Sequence, residues 1–375
     1  MRVLIIARGY PSEAYKMNGI FEFDQAKALQ ASGVEVIYAA IDIRSIRRWR
    51  KWGIERKVVE GVKVYSINIP CGKLPILILN KVRTLALKKL FKFIIQFEDK
   101  PDLIHAHFIV NGYAVAELFC NEGIPLLLTE HFSAMNNENL SRSLIKVGEK
   151  TYSRMDSVIC VSSALAQKIN KNFNVESVVI PNVVDLEKFS YKPIDNNNFI
   201  FISTGRLVKN KGMDFLIKCF RQAFQEEENV HLYIFGDGPQ HKELEELIAA
   251  QGLQGKVILY GLVDRNIIAN NMKSGHCFVL ASKHETFGLS YVEALASGLP
   301  VISTKCGGPE GFVNKKNGIM VGIDNEKELI DALKYMYNYS HDIYDSVEIA
   351  TEVRERFSAE AVSRELINLY NKYLS

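Results

Sequence analysis

Two carboxylates, Glu285 and Glu293, bracket a stretch that reads His-Glu-Thr-Phe-Gly-Leu-Ser-Tyr-Val-Glu-Ala-Leu-Ala-Ser-Gly over residues 284–298. It follows an apolar run at 277–281, and 288–297 has the composition of a helix that Gly298 can terminate. The start of such a helix offers unpaired amide N–H groups and a partial positive charge. Gly288 lets the backbone approach a ligand closely, so a pyrophosphate would sit there. Glu285 lies in the loop and Glu293 inside the helix, at different depths. Each could accept hydrogen bonds from vicinal hydroxyls, one on a sugar ring and one on a ribose. Glutamates are commonly surface residues, and a solvated helix with two exposed glutamates is the plainer account. The strand before them and Phe287-Gly288-Leu289 weigh against it.

A second strand-to-helix passage, Thr204-Gly205-Arg206-Leu207-Val208-Lys209-Asn210-Lys211-Gly212, supplies cations. Arg206 has a planar fork that fits phosphate oxygens and Lys211 a point charge, so together they would neutralise a diphosphate leaving group. The bland alternative is a basic exposed loop. A tight turn at 235–239 contains Gly236, a weaker signal because glycine and aspartate fill most turns. In the first half of the chain, His107 and His131 follow apolar runs, and Asn18-Gly19 lie in a loop before a helical stretch at 24–31. A lone histidine is more often a satisfied structural residue than a catalytic one.

These residues need elements to hold them. Apolar runs at 3–7, 34–39, 103–106, 126–129, 157–161 and 178–180 suit strands buried on both faces, and they alternate with amphipathic stretches. That pattern implies a parallel sheet. A polar stretch at 185–198, with Pro193 and three successive asparagines, reads as a surface connection. The pattern then restarts with runs at 199–204, 230–236, 257–260, 277–281 and 301–304, separated by helical stretches such as 213–227. Residues 358–374 have helical spacing and read as a final packing helix.

A chain of 375 residues, 47% apolar and 24% charged, fits two domains. They are expected at 1–188, with 358–375 returning to it, and at 189–357. A net charge of +3 lacks the basic field of a nucleic-acid binder, so no nucleic-acid partner is expected. The six cysteines are scattered without a Cys-x-x-Cys pair, which suits buried free thiols in a reducing compartment. The apolar run at 3–7 is shorter than a signal-peptide core, and a cytoplasmic protein is expected.

In order and spacing, Gly205-Arg206 with Lys211-Gly212, Gly236-Asp237-Gly238-Pro239, and Glu285 and Glu293 around Phe287-Gly288-Leu289 resemble the retaining glycosyltransferases of family 4. Val161-Ser162-Ser163 and Pro181-Asn182-Val183-Val184-Asp185 match the pattern too, so the resemblance covers nearly the whole chain. It implies the α/β GT-B architecture: two Rossmann-like domains facing across a cleft, with the C-terminal helix packing back toward the N-terminal domain.

The resemblance also implies roles. Arg206 and Lys211 would bind the donor pyrophosphate, Glu285 the sugar hydroxyls and Glu293 the ribose. The backbone at Phe287, Gly288 and Leu289 would hold sugar and phosphates, with Gly19, Gly205 and Gly236 in the donor loops. His131 matches a histidine beside donor sugar and acceptor and would act in catalysis with Arg206, Lys211 and Glu285, leaving His107 and Asn18 as acceptor-side candidates. Asn18 stands where the family has a second glycine, and asparagine tolerates left-handed geometry.

No Asp-x-Asp occurs, so Arg206, Lys211 and the helix start would stand in for a divalent ion. No metal and no cofactor are expected beyond the nucleotide sugar. The expected reaction moves a sugar from a UDP-sugar to a glycan or lipid-linked glycan with retention, in bacterial surface polysaccharide biosynthesis; a GDP-mannose-dependent mannosyltransferase is the alternative. An epimerase would need acid and base groups around the sugar C2, and a phosphorylase a lysine-bound pyridoxal cofactor; neither pattern is found. A non-catalytic sugar-nucleotide-binding protein would not need the charged set intact.

Two stretches could touch an anionic membrane from the cytoplasmic face. Residues 44–52 mix arginine with tryptophan. Residues 74–97 put Lys81, Thr84, Lys88 and Lys92 on one helical face, with Val82, Leu90, Phe93, Ile94 and Phe97 turned away. The five basic residues there exclude a spanning helix. A core helix with a solvated basic face fits equally well.

Overall fold

A computed structural model describes residues 1–13, 15, 18–44, 51–71, 74–136, 139–191 and 198–374; the side chains of Arg44 and Ser133 are not described. Most of the arginine- and tryptophan-bearing stretch at 44–52 therefore lies outside the described residues. The chain divides into two compact units, Met1–Val183 with Ala359–Ser375, and Val184–Ser358. The break expected at 188/189 falls earlier because the Val184 N–H donates to Phe357 O at 3.0 Å, which ties that segment to the second unit.

The first unit contains β1 (Arg2–Ala7), β2 (Glu35–Arg44), β3 (Gly53–Val59), β4 (Val62–Pro70), β5 (Leu103–His107), β6 (Leu126–Glu130), β7 (Ser157–Cys160) and β8 (Val178–Val179). Their order is β3-β4-β2-β1-β5-β6-β7-β8, parallel except where β3 pairs antiparallel with β4. The apolar runs behave as two-sided burial requires: all of β5, β6 and β7 is buried, and so is β1 beyond Arg2. Val178 and Val179 are a correction. They are 42% and 41% exposed because β8 pairs only with β7 at the edge of the sheet.

One face of this sheet is covered by the helix Ile20–Ala31 and by the C-terminal helix Ala359–Leu374. Phe23, Ala26 and Leu29 from the first meet Val362, Leu366 and Tyr370 from the second in the cluster that also buries Val3, Ile5 and Tyr38. The spacing of these positions is the helical period that turns one stripe inward.

The second unit contains β9 (Phe199–Thr204), β10 (Val230–Phe235), β11 (Val257–Gly261), β12 (Cys277–Leu280), β13 (Val301–Thr304) and β14 (Gly318–Val321). All pair parallel in the order β11-β10-β9-β12-β13-β14. The chain runs outward from β9 to β11, then returns to the centre at β12 and runs outward the other way. Strand order thus reverses between β9 and β12, as it does between β1 and β5 in the first unit. Each unit is Rossmann-like, and in such open sheets ligands bind beyond the carboxyl ends of the strands at the reversal point. Among the described residues no helix is long and apolar enough to cross a membrane.

Candidate active site

The reversal point of the second sheet is flanked by the loops that follow β9 and β12, and backbone contacts lock them together. The Lys283 N–H donates to Asn210 O at 2.8 Å, and Asn210 Nδ2 donates to His284 O at 3.0 Å. This register sets Lys211 Nζ 2.5 Å from Glu285 Oε1, an oxygen that also accepts from Ser282 Oγ at 2.7 Å. The two side chains are only 22% and 11% exposed, so their charges are screened little by water. Arg206 is exposed on the same β9 loop. The turn after β10 presses in from beside it: Gly236 has φ 137°, and a Cβ there would lie 1.9 Å from Gly205 O, so only glycine fits.

Phe287 anchors the β12 loop by packing on Phe312 and Phe357, with ring centroids 5.7 and 5.8 Å away. The expected helix spans Leu289–Ala296 with Gly288 at its N-cap and no side-chain cap, so its first amides are left without a side-chain partner. Glu293 is buried within it. Its Oε1 accepts from Arg265 Nε at 3.0 Å and Nη2 at 2.5 Å, and the Arg265 guanidinium lies 5.2 Å from the Phe189 ring. Removing one partner of such a buried pair typically costs about 3–5 kcal/mol, because the remaining charge is stranded.

The first unit places a different chemistry at its own reversal point. Arg8, just past β1, lays its guanidinium 3.1 Å from the Phe108 ring centroid. From there rings pack inward: Phe108 tilted on His131 at 4.9 Å, then His131 stacked on His107 at 5.3 Å and His107 on His105 at 4.7 Å, with Tyr370 of the C-terminal helix edge-on to His105 at 5.7 Å. Phe108 holds φ 67°, a costly conformation for an aromatic residue, which persists only where surroundings impose it. Burial pushes His105 and His131 down to about 3 and His107 well below the usual imidazole range, so all three are neutral at pH 7. Beside them the buried Glu130 accepts from the His131 and Phe132 amides and from Tyr152 Oη, and burial raises its pKa.

Among the polar atoms of this unit that are buried without a protein partner, His131 Nδ1, Glu22 Oε2 and Asn18 Nδ2 belong to the ladder and the loop beside it. Leaving such a group unsatisfied costs about 1–3 kcal/mol, and a ligand would relieve it. Gly19 caps the helix Ile20–Ala31 in the left-handed region, where a Cβ would lie 2.2 Å from Gly9 O. Asn18 packs against Gly9 from the same loop, with Nδ2 1.9 Å from the place a Gly9 Cβ would occupy. The glycine-rich turn is thus split between Gly9 and Gly19.

Residues 23–188 match the family Glycosyltransferase Family 4, and residues 185–361 match Glycosyl transferases group 1. The chain belongs to the family 4, group 1 glycosyltransferases. The putative teichuronic acid biosynthesis glycosyltransferase TuaC of Bacillus subtilis is 25% identical over 96% of this chain and 94% of its own. An uncharacterized glycosyltransferase of Methanocaldococcus jannaschii, MJ1059, is 29% identical over 58% of each chain, so this chain spans less than two thirds of that relative. Among solved structures, sucrose-phosphate synthase from Thermosynechococcus elongatus superposes with a TM-score of 0.79 at 19% identity, covering 99% of this chain and 98% of that one. Anabaena HepE in complex with UDP and glucose does so with 0.74 at 20% identity, covering 99% and 100%. The fold of this glycosyltransferase is therefore GT-B.

His107, the acceptor-side candidate, is fully buried, and its Nδ1 lies 3.0 Å from His131 Nε2. Two sequence expectations change in the glycosyltransferase. Not all the cysteines are buried, since Cys120 is exposed and Cys71 half-buried. In the helix Ile76–Ile94, the basic face is not purely polar: Leu77, Ile78 and Leu85, 58%, 47% and 68% exposed, lie among exposed Lys81, Lys88, Lys89 and Lys92. Sequence reasoning missed Arg265 and Gln25. Arg265 follows the helix-capping Asp264, but nothing in its spacing ties it to Glu293.

Proposed function

We propose that this glycosyltransferase moves a sugar from a UDP-sugar to a hydroxyl of a glycan or lipid-linked glycan, with retention, in the building of a surface polysaccharide. The observation that carries the reading is the Lys211–Glu285 pair at the reversal point of the second sheet, beside exposed Arg206 and the uncapped start of the helix Leu289–Ala296. A diphosphate would draw Lys211 and Arg206 to its oxygens and accept from the helix amides. Glu285, released from Lys211, would turn its carboxylate to the sugar hydroxyls, while Arg265 steadies Glu293 for the ribose. The name of TuaC, with its teichuronic acid, and the UDP and glucose in the HepE complex support the choice of pathway and base.

Charge on the leaving group then drives the chemistry. Arg206, Lys211 and the helix amides stabilise the departing nucleoside diphosphate without a metal ion. Its phosphate oxygen, leaving from the face the acceptor enters, takes the acceptor's hydroxyl proton, so the new bond keeps the old configuration. The decisive experiment is a thermal-shift screen of nucleotide sugars. A true donor at a hundredfold its Kd stabilises by roughly 2.7 kcal/mol; a UDP-sugar should do so in the wild type and fail in Lys211→Met. No shift from any nucleotide sugar would sink the reading.

The mixed face of the helix Ile76–Ile94 fits an anionic bilayer, where a lipid-linked acceptor resides. Exposed leucines enter the headgroup layer and lysines meet the lipid charge. Vesicles with anionic lipid should carry the protein in flotation, with Leu85→Glu and high salt each abolishing it; flotation indifferent to both would refute the contact.

A further inference from the structure

The histidine ladder of the first unit has a direction. Gln25, buried on the helix Ile20–Ala31, sets its Nε2 3.5 Å from both His105 Nδ1 and His107 Nε2. With the amide oriented so that its NH2 faces the two rings, Gln25 donates to both, and both of these ring nitrogens present lone pairs. A neutral imidazole carries one proton, which for His107 is therefore on Nδ1. That nitrogen faces His131 Nε2 at 3.0 Å and donates to it, so His131 must carry its own proton on Nδ1. His105 closes the inner end consistently: Nδ1 also faces Tyr370 Oη at 2.6 Å, and Nε2–H donates to Thr129 Oγ1 at 2.7 Å.

We propose that Gln25 is a positioning residue which, through His107, locks His131 as the Nδ1–H tautomer and so makes it a neutral hydrogen-bond donor to a sugar oxygen of the substrate. The Nδ1 atom is the one that the protein leaves buried and unpartnered, on a side chain only 9% exposed. Stacking on His107 and tilted packing on Phe108 fix the ring plane, so the tautomer alone decides whether a proton or a lone pair points at the ligand. A neutral donor suits a sugar hydroxyl: it holds that oxygen in place without adding a cation beside the forming oxocarbenium character.

The assignment of the ligand rests on the glycosyl-transfer reading, but the tautomer can be read without any substrate. Long-range proton–nitrogen correlation spectra of the full chain, with 15N-labelled histidine at pH 7.5, should show His131 and His107 protonated on Nδ1 and His105 on Nε2. Gln25→Met, close in volume but without donors, should shift a large part of the His107 and His131 population to Nε2–H while leaving the thermal midpoint near that of wild type. The rate of transfer should fall about tenfold with little change in KM for the donor, as for the loss of one transition-state hydrogen bond. A wild-type His131 protonated on Nε2, or a Gln25→Met protein whose His131 tautomer is unchanged, would overturn the proposal. If the variant does not fold, the wild-type spectrum decides alone. The thermal-shift screen is independent of these spectra, so failure of one reading is distinguishable from failure of the other.

Discussion

The two sheets of this protein present opposite kinds of polar site at equivalent places. In the second unit the reversal point holds full charges in largely buried pairs, Lys211 with Glu285 and Arg265 with Glu293. In the first it holds neutral rings, stacked and buried, with the Arg8 guanidinium, 3.4 Å from the buried Glu22 carboxylate, at the outer end. Charges exchange partners readily with a charged ligand, so the ionic site suits a diphosphate whose departure must be paid in electrostatics. Neutral buried donors do not attract anions and cannot be neutralised by them. They suit uncharged sugar hydroxyls, where geometry discriminates better than field strength.

The sharpest way to break this comparison is to take the charge out of the ionic site while keeping its shape. Glu285→Gln preserves volume and leaves Lys211 without its anion. The expected loss in kcat is about 10²- to 10³-fold, in line with the removal of one preorganised group from a water-poor site. UDP, which needs Lys211 and not Glu285, should bind as well as before or better by calorimetry. If kcat stays within threefold of wild type, the glutamate belongs to the fold and the charge asymmetry between the units has no catalytic meaning.

That ionic site was largely legible in the sequence, and the neutral one was not. Glu285, Glu293, Arg206 and Lys211 lie in local strand-to-helix signatures whose glycines and capping positions can be read within a dozen residues, and the helix start at Gly288 appears one residue from where composition puts it. The histidine ladder joins β5, β6, the helix Ile20–Ala31 and Tyr370, which no local pattern connects. Its polarity is set by Gln25, an unremarkable glutamine in a helix. The same limit hides the hairpin of β3 and β4. Gly-Ile-Glu-Arg-Lys-Val-Val carries a largely exposed, charged edge strand with little apolar alternation, and its pairing with β4 is decided by tertiary contact. The inner strands were easy for the opposite reason, since burial on both faces leaves continuous apolar runs.

A smaller effect sharpens the comparison through acid. His105, His107 and His131 have folded pKa values depressed by burial, the first and last to about 3, while the unfolded chain keeps the ordinary 6.5. The unfolded state therefore takes up protons first as pH falls through 6.5, and the folded first unit loses stability from there down to about 3. At pH 6 the loss is about 0.8 kcal/mol for each histidine. Glu130 works in the opposite sense, because burial raises its pKa and the folded state protonates it first, offsetting part of the loss at lower pH. The second unit carries a smaller depressed set, with His276 held at about 4 by burial. Hydrogen exchange at pH 7.5 and 6, corrected for intrinsic rates, should show protection falling about three times as much in free energy over β1, β5 and β6 as over β9, β10 and β12. Equal losses in the two sheets would mean that the ladder is not the neutral, buried device its geometry describes.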